Sequence, residues 1–263
     1  MSRARGGAAL AALLAAALVC SAASARPLDV IRDRGVLSLC AHANSLPFAS
    51  KTQDPPGFQI ELARALADAL GVTLHVEWVV SGIQFRVADC DIVLDTIAVP
   101  EAQAERRLML SKPYQRSGVG LAVRPNAQGV NGFSDLNGRR VAVVGRSLAA
   151  MLLGQRGVTL AFFGYEDEMI EAVAHGEVEA AAVSPASVGY FNLRHPDAKV
   201  RFVHAYDAEP ELRWNLAVGL RRADPPFREA IDAALDKLAS DGTVARIYAR
   251  YGIEYRPPAA AGR

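Results

Sequence analysis

The stretch Ala88-Asp89-Cys90-Asp91-Ile92-Val93-Leu94-Asp95-Thr96 runs polar, then apolar, then polar again. Its three central residues are too few for a helix and too apolar for a loop. They predict a strand buried on both faces, as in a parallel sheet covered by helices. Asp95 and Thr96 then stand at the carboxyl end of that strand, where open α/β sheets bind ligands because the loops spread apart there. Val178-Glu179-Ala180-Ala181-Ala182-Val183-Ser184-Pro185 repeats the design: a small buried strand ends in a hydroxyl residue and a turn. We expect each strand to belong to its own lobe, with the two ends facing one another across a cleft.

The remaining pattern supplies the parts of two such lobes. Gly35 to Ala41 alternates and reads as a first strand, followed by the loop His42 to Phe48. Phe58 to Leu70 carries Leu62, Leu66 and Leu70 on one helical face, and Gly71 stops it. Val72 to Trp78 is the next strand, whereas Val79 to Val87 is short for a crossover helix. Pro100 to Arg107 reads as a helical turn, and Gly118 to Val123 as an extended crossing between lobes. Arg140 to Val144 is a strand, Gly145-Arg146-Ser147 a turn, and Leu148 to Gln155 a helix. A strand to Phe163, a helix from Asp167 to His175 and the strand ending at Ser184 complete the second lobe. Arg213 to Leu220 reads as the return crossing; Asp224-Pro225 starts a last large helix. The tetrapeptide Gly-Val-Thr-Leu stands at 71–74 and again at 157–160, each copy closing a helix and opening a strand. That placement suggests a duplicated architecture. The expected division is 26–120 for the first lobe, 121–217 for the second, 218–256 returning to the first, and a disordered tail from 257.

Composition narrows the function classes. The 263 residues carry a net charge of +1, with basic residues scattered singly, so no nucleic-acid partner is expected. Residues 1–25 combine Arg3 and Arg5, an apolar run from Ala8 to Val19 and Ala23-Ser24-Ala25, which together read as a secretory signal. A lipoprotein anchored at Cys20 is the alternative. Export to the periplasm would leave Cys40 and Cys90 where disulfides persist. They pair if their strands are neighbours; otherwise they are two small buried hydrophobes. No metal spacing and no cofactor motif is present, so neither is expected, and a monomer is expected.

Four motifs carry a family resemblance. Gly57-Phe58-Gln59-Ile60-Glu61-Leu62-Ala63 is similar to a Gly-Phe-Asp-Val-Asp-Leu-Ala helix start. Leu110-Ser111-Lys112-Pro113-Tyr114 is similar to Phe-Ser-x-Pro-Tyr, and Asp135-Leu136-Asn137-Gly138-Arg139-Arg140-Val141 to Asp-Leu-x-Gly-Lys-x-Val. Asp241-Gly242-Thr243 with Ile247-Tyr248 is similar to the carboxyl-terminal signature of the same family. In this order they resemble the family 3 extracellular solute-binding proteins of ABC importers. The resemblance implies an α/β, periplasmic binding protein type II-like fold: two α/β lobes joined by two hinge strands, closing on a small-molecule ligand that ABC transporter membrane subunits then receive. Amino-acid-binding members hold the ligand carboxylate with an Arg and its amine with an Asp. Ala104 and Ser184 stand at those places here, and Arg106 or Arg107 would be aimed elsewhere by a helix. Loss of both clamps argues against an ordinary α-amino acid.

A second resemblance is narrower. Leu39 to Phe48, Cys90-Asp91 and Gly189-Tyr190 are similar to solute-binding-like proteins encoded beside quinoprotein alcohol dehydrogenases, methanol dehydrogenase included. It implies an exported quinoprotein dehydrogenase as partner. An exported dehydratase on the same fold is a third reading, for which Asp95 or Glu171 would serve as acid or base without a supporting pair.

The candidate ligand contacts are Asn44, Ser45, Asp95, Thr96, Tyr114, Arg146, Ser147 and Ser184. Gly145-Arg146-Ser147 offers free N–H groups for an anion, with Ser147 as a mere helix cap the alternative. Asp95 has the alternative of pairing with a hinge arginine. Tyr114 and Trp214 have that of hinge packing.

Overall fold

The computed structural model describes residues 26–104 and 108–259. The expected signal peptide, Cys20, Arg106, Arg107 and the last residues of the tail lie outside the described residues. Two sheets organise the rest. The first orders its strands Thr73–Val79, Val36–His42, Ile92–Ile97, Arg213–Arg221 and Leu108–Leu110, with Gln115–Gly118 also paired to Arg213–Arg221. The second orders Thr159–Phe163, Arg140–Val144, Ala180–Val183, Gly120–Val123 and Arg201–Val203.

The two sheets share one plan. In each, the first three strands run parallel and the fourth antiparallel. The two Gly-Val-Thr-Leu copies lead into the corresponding edge strands, Thr73–Val79 and Thr159–Phe163. Gly71 and Gly157 take positive φ of 74° and 73° at the corresponding turns. The antiparallel strand is where the sheets differ in connectivity. The first sheet takes it from near the chain's end, and the second from just after the crossing.

Burial follows from that plan. Ala180–Val183 is buried throughout, and so is the core of Val36–His42, because helices cover both faces. The helix Phe58–Leu70 buries Phe58, Leu62, Leu66 and Leu70 on the first sheet, and ends at Gly71 as expected. Val79 to Val87 does contain a helix, Gly82–Val87, started by the Ser81 hydroxyl accepting from Gln84 N–H. Ile83 and Val87 remain 67% and 78% exposed, so no core-facing pattern marked it.

The crossing expected as one extended stretch is two strands in different sheets. Gln115–Gly118 pairs with the first sheet and Gly120–Val123 with the second. The chain turns between them because Gly118 has no side chain: a Cβ there would lie 2.3 Å from the Leu212 carbonyl oxygen. The return strand lies wholly in the first sheet, Arg213–Arg221, so that crossing falls at Leu212. The tail expected to be disordered from Pro257 is tied at its start, where the Asn215 side-chain amide bonds both backbone groups of Ala259 at 2.9 and 3.0 Å.

Cys40 and Cys90 form a disulfide, with Cα atoms 5.4 Å apart. Val36–His42 and Ile92–Ile97 are sheet neighbours, which is the condition the sequence reading set. The Arg221 guanidinium lies against the bond, 3.3 Å from Cys90 Sγ, and donates to the Phe85, Arg86 and Ala88 carbonyls. Next to it the fully buried Asp91 accepts from Arg26, Arg34 and the Ser38 N–H at 2.8–2.9 Å.

Candidate functional site

A cleft of about 850 Å³ opens between the sheets at the carboxyl ends of their parallel strands. From the first sheet it is walled by the loop after His42, including Asn44, Ser45 and Phe48. From the second come Val144 and the segment Gly164 to Asp167, with Tyr190 and Arg194 from the helix Pro185–Arg194. A depression of about 600 Å³ near Pro56, Arg64 and Ile247 involves the first lobe alone. The cleft is the better candidate because both sheets build it at the strand ends where α/β folds place ligands.

Asn44 and Ser45 line the cleft. They form a small ladder with Ala49–Ser50, which fixes the loop. Ser184 reaches the cleft indirectly. It caps the helix Pro185–Arg194, accepting from Ser187 N–H, while its own hydroxyl donates to Glu166 at 2.7 Å. Its backbone N–H donates to the same carboxylate at 3.1 Å. Glu166 lines the cleft, so a carboxylate stands beside the position where sequence reasoning found only a serine. The run Tyr165-Glu166-Asp167-Glu168 at a helix start was its only trace in the sequence. The helix Pro185–Arg194 was also missed, although Ser184-Pro185 is a cap followed by proline at the first position.

Arg146 and Ser147 adjoin the cleft-lining Val144. Ser147 caps the helix Leu148–Gln155 through Ala150 N–H at 3.1 Å. Arg146 is exposed and takes a left-handed φ of 60°.

Asp95, Thr96 and Tyr114 come together at the hinge and are not among the residues that wall the cleft. Asp95 sits on a bulge, where the register against Arg213–Arg221 shifts between Ala217 and Gly219, with φ of 53°. Its carboxylate accepts from the Tyr114 hydroxyl at 2.5 Å and from Gln59 Nε2 at 2.6 Å. No arginine pairs with it among the described residues. Tyr114 is buried in the first lobe's core, which is the hinge-packing alternative. Thr96 is buried too, with its hydroxyl 3.4 Å from the Val93 carbonyl.

Although Asp95 as a residue keeps some exposure, its carboxyl is withdrawn from water. Burial raises its pKa above the ordinary 3.8, and the Tyr114 and Gln59 bonds only partly offset this. The folded state therefore holds this proton more tightly than the unfolded chain. Its effect is to lose stability as pH rises from about 4 through the raised folded value. Asp95→Asn removes that loss, and the Gln59 amide can turn to accept from the new amide. The variant should show a shallower fall of melting temperature across that window, read by thermal unfolding at a series of pH values. An unchanged slope would contradict the account.

Residues 37–254 match the bacterial extracellular solute-binding proteins, family 3, and the chain belongs to that family. It is 24% identical over 254 residues to the probable amino-acid-binding protein YxeM of Bacillus subtilis (strain 168), covering 92% of each. It is 26% identical over 241 residues to the membrane-bound lytic murein transglycosylase F of Desulfosudis oleivorans, but spans only 51% of that relative's length. Among solved structures, the ancestral cationic amino acid solute binding protein AncCDT-1 superposes with a TM-score of 0.70. It has 25% identity, covering 86% of this chain and 99% of that one. MxaJ from Methlophaga aminisulfidivorans MPT shares the fold, with a TM-score of 0.66 at 18% identity over 83% of this chain and 99% of that one. The fold is thus that of periplasmic binding proteins of type II, with two mixed α/β sheets.

Proposed function

We propose that the protein is an exported, periplasmic solute-binding protein that captures a small polar solute between its two lobes and presents it to the membrane subunits of an ABC importer. The observation that carries this reading is the cleft of about 850 Å³ walled by strand ends of both sheets. The two crossings, between Gly118 and Gly120 and at Leu212, lie side by side, where Gly118 pairs with Arg213 and Val119 N–H donates to the Leu212 carbonyl, so a hinge motion there breaks neither sheet. Asp95, the acid a dehydratase would need, has both oxygens engaged at the hinge, and Glu171 is exposed on its helix. Binding therefore fits better than catalysis.

A thermal-shift screen of the mature protein against solutes of each nutrient class tests the reading. A solute at about 100 times its dissociation constant adds about 2.7 kcal/mol, or roughly 5–10 °C for a chain of this size. A melting temperature unmoved by every class would contradict it.

The alternative is an accessory role beside an exported quinoprotein dehydrogenase. What favours it is that the residues carrying that resemblance act as one unit: Cys40 is bonded to Cys90, and the loop running on to Phe48 walls the cleft. Co-purification of such a dehydrogenase with the protein would support this role. A screen hit together with no such partner would favour transport.

A further inference from the structure

We propose that the cleft takes an organic ammonium cation with an apolar body, seated at Glu166. The inference rests on the reading of the cleft as a solute site. Glu166 is half-buried, and the Ser184 hydroxyl and N–H hold it in place. Its Oε1 receives only the longer branch of the Ser184 N–H bond, at 3.2 Å, so most of its acceptor capacity is unused. A carboxylate fixed in advance and partly withdrawn from water attracts a cation more strongly than a solvated one does. Asp167 adds a second negative charge on the same wall.

The apolar part of the solute would meet aromatic rings. Tyr165, 65% exposed, adjoins Glu166, and the half-buried Phe48 and Tyr190 line the same space. Their faces favour a cation and its alkyl or aryl body alike. The cationic side chain on the wall is that of Arg194, and it is exposed. In high dielectric it holds an anion weakly, and it must also lose side-chain freedom to do so. The wall therefore favours the cation over a carboxylate.

A charge series on one carbon frame tests this: 2-phenylethylammonium, 2-phenylethanol, phenylacetate and phenylalanine, titrated into the mature protein by calorimetry. We expect 2-phenylethylammonium to bind at least tenfold more tightly than the alcohol or phenylacetate, and no less tightly than phenylalanine. Glu166→Gln should weaken it at least tenfold while keeping the unliganded melting temperature, since the amide oxygen still accepts from Ser184. Tyr165→Ala should weaken it several-fold without loss of fold. Tighter binding of phenylacetate or phenylalanine overturns the inference and leaves the cleft reading standing. So does unchanged affinity in Glu166→Gln, or no binding of 2-phenylethylammonium while another solute binds. If no solute of any class binds, both readings fall.

Discussion

Replacing Cys40 and Cys90 together by alanine is expected to lower the melting temperature by roughly 5–15 °C, corresponding to about 2–4 kcal/mol. The bond closes a loop with a sequence separation of 50 residues, so it removes considerable freedom from the unfolded chain. The folded side of the balance points the same way. The bond ties Val36–His42 to the segment that leads into the central strand Ile92–Ile97, and the Arg221 guanidinium packs on it while holding three carbonyls of the 85–88 segment. Losing the bond leaves Arg221 as the main tie on that segment. Unfolding of the wild type with and without reductant should show the same drop as the double variant. A variant that melts with the wild type would mean that the denatured chain gains nothing from the cross-link.

Gly189→Ala is expected to separate the lobes without unfolding either. Gly189 lies in the second lobe's helix Pro185–Arg194, and Gly252 follows the last helix, Thr243–Arg250, of the first. A Cβ on Gly189 would lie 2.3 Å from the Gly252 carbonyl oxygen, which is backbone and cannot rotate away. Ala186 of the same helix is part of the first lobe's core, and the Tyr190 ring lies 6.3 Å from that of Tyr251. This is therefore a seat of one lobe on the other. Within its own helix alanine would gain about 1 kcal/mol over glycine, which offsets much of the overpacking cost of about 1–3 kcal/mol. The clash is relieved most cheaply by moving the lobes apart. The melting temperature should change by only a few degrees. The radius of gyration from small-angle scattering should increase, and solute affinity should fall roughly ten- to hundredfold, a factor of ten for each ~1.4 kcal/mol. A large loss of melting temperature with unchanged affinity would show that the contact serves stability alone.

The features legible in the sequence are those that depend on near neighbours. The run Ala180 to Val183 declares a strand buried on both faces by itself, whereas Ile92 to Leu94, expected to be the same, alternates, with Ile92 and Leu94 buried and Val93 half-buried. The repeated Gly-Val-Thr-Leu marked equivalent edge strands because a left-handed glycine and a β-branched start are local needs. Helix Phe58–Leu70 announced itself through its leucine spacing and Gly71. What escaped was set by pairs distant along the chain. Glu166 and Ser184 are 18 residues apart, and the serine's identity gave no sign that an acid would arrive beside it. Asp95 and Tyr114, 19 apart, meet only because a bulge turns Asp95 back towards the hinge. The Gly189 and Gly252 backbones touch across lobes, and nothing near either residue shows it.

The central claim is that two lobes close on a solute at their strand ends. Its most direct measurement is a spin-label distance across the cleft, with labels on Asn44→Cys and Asp167→Cys, one from each wall. Each solute that raises the melting temperature should shorten and narrow the distance distribution. A bound solute that leaves the distribution unchanged, or the absence of any solute that binds, would contradict the account.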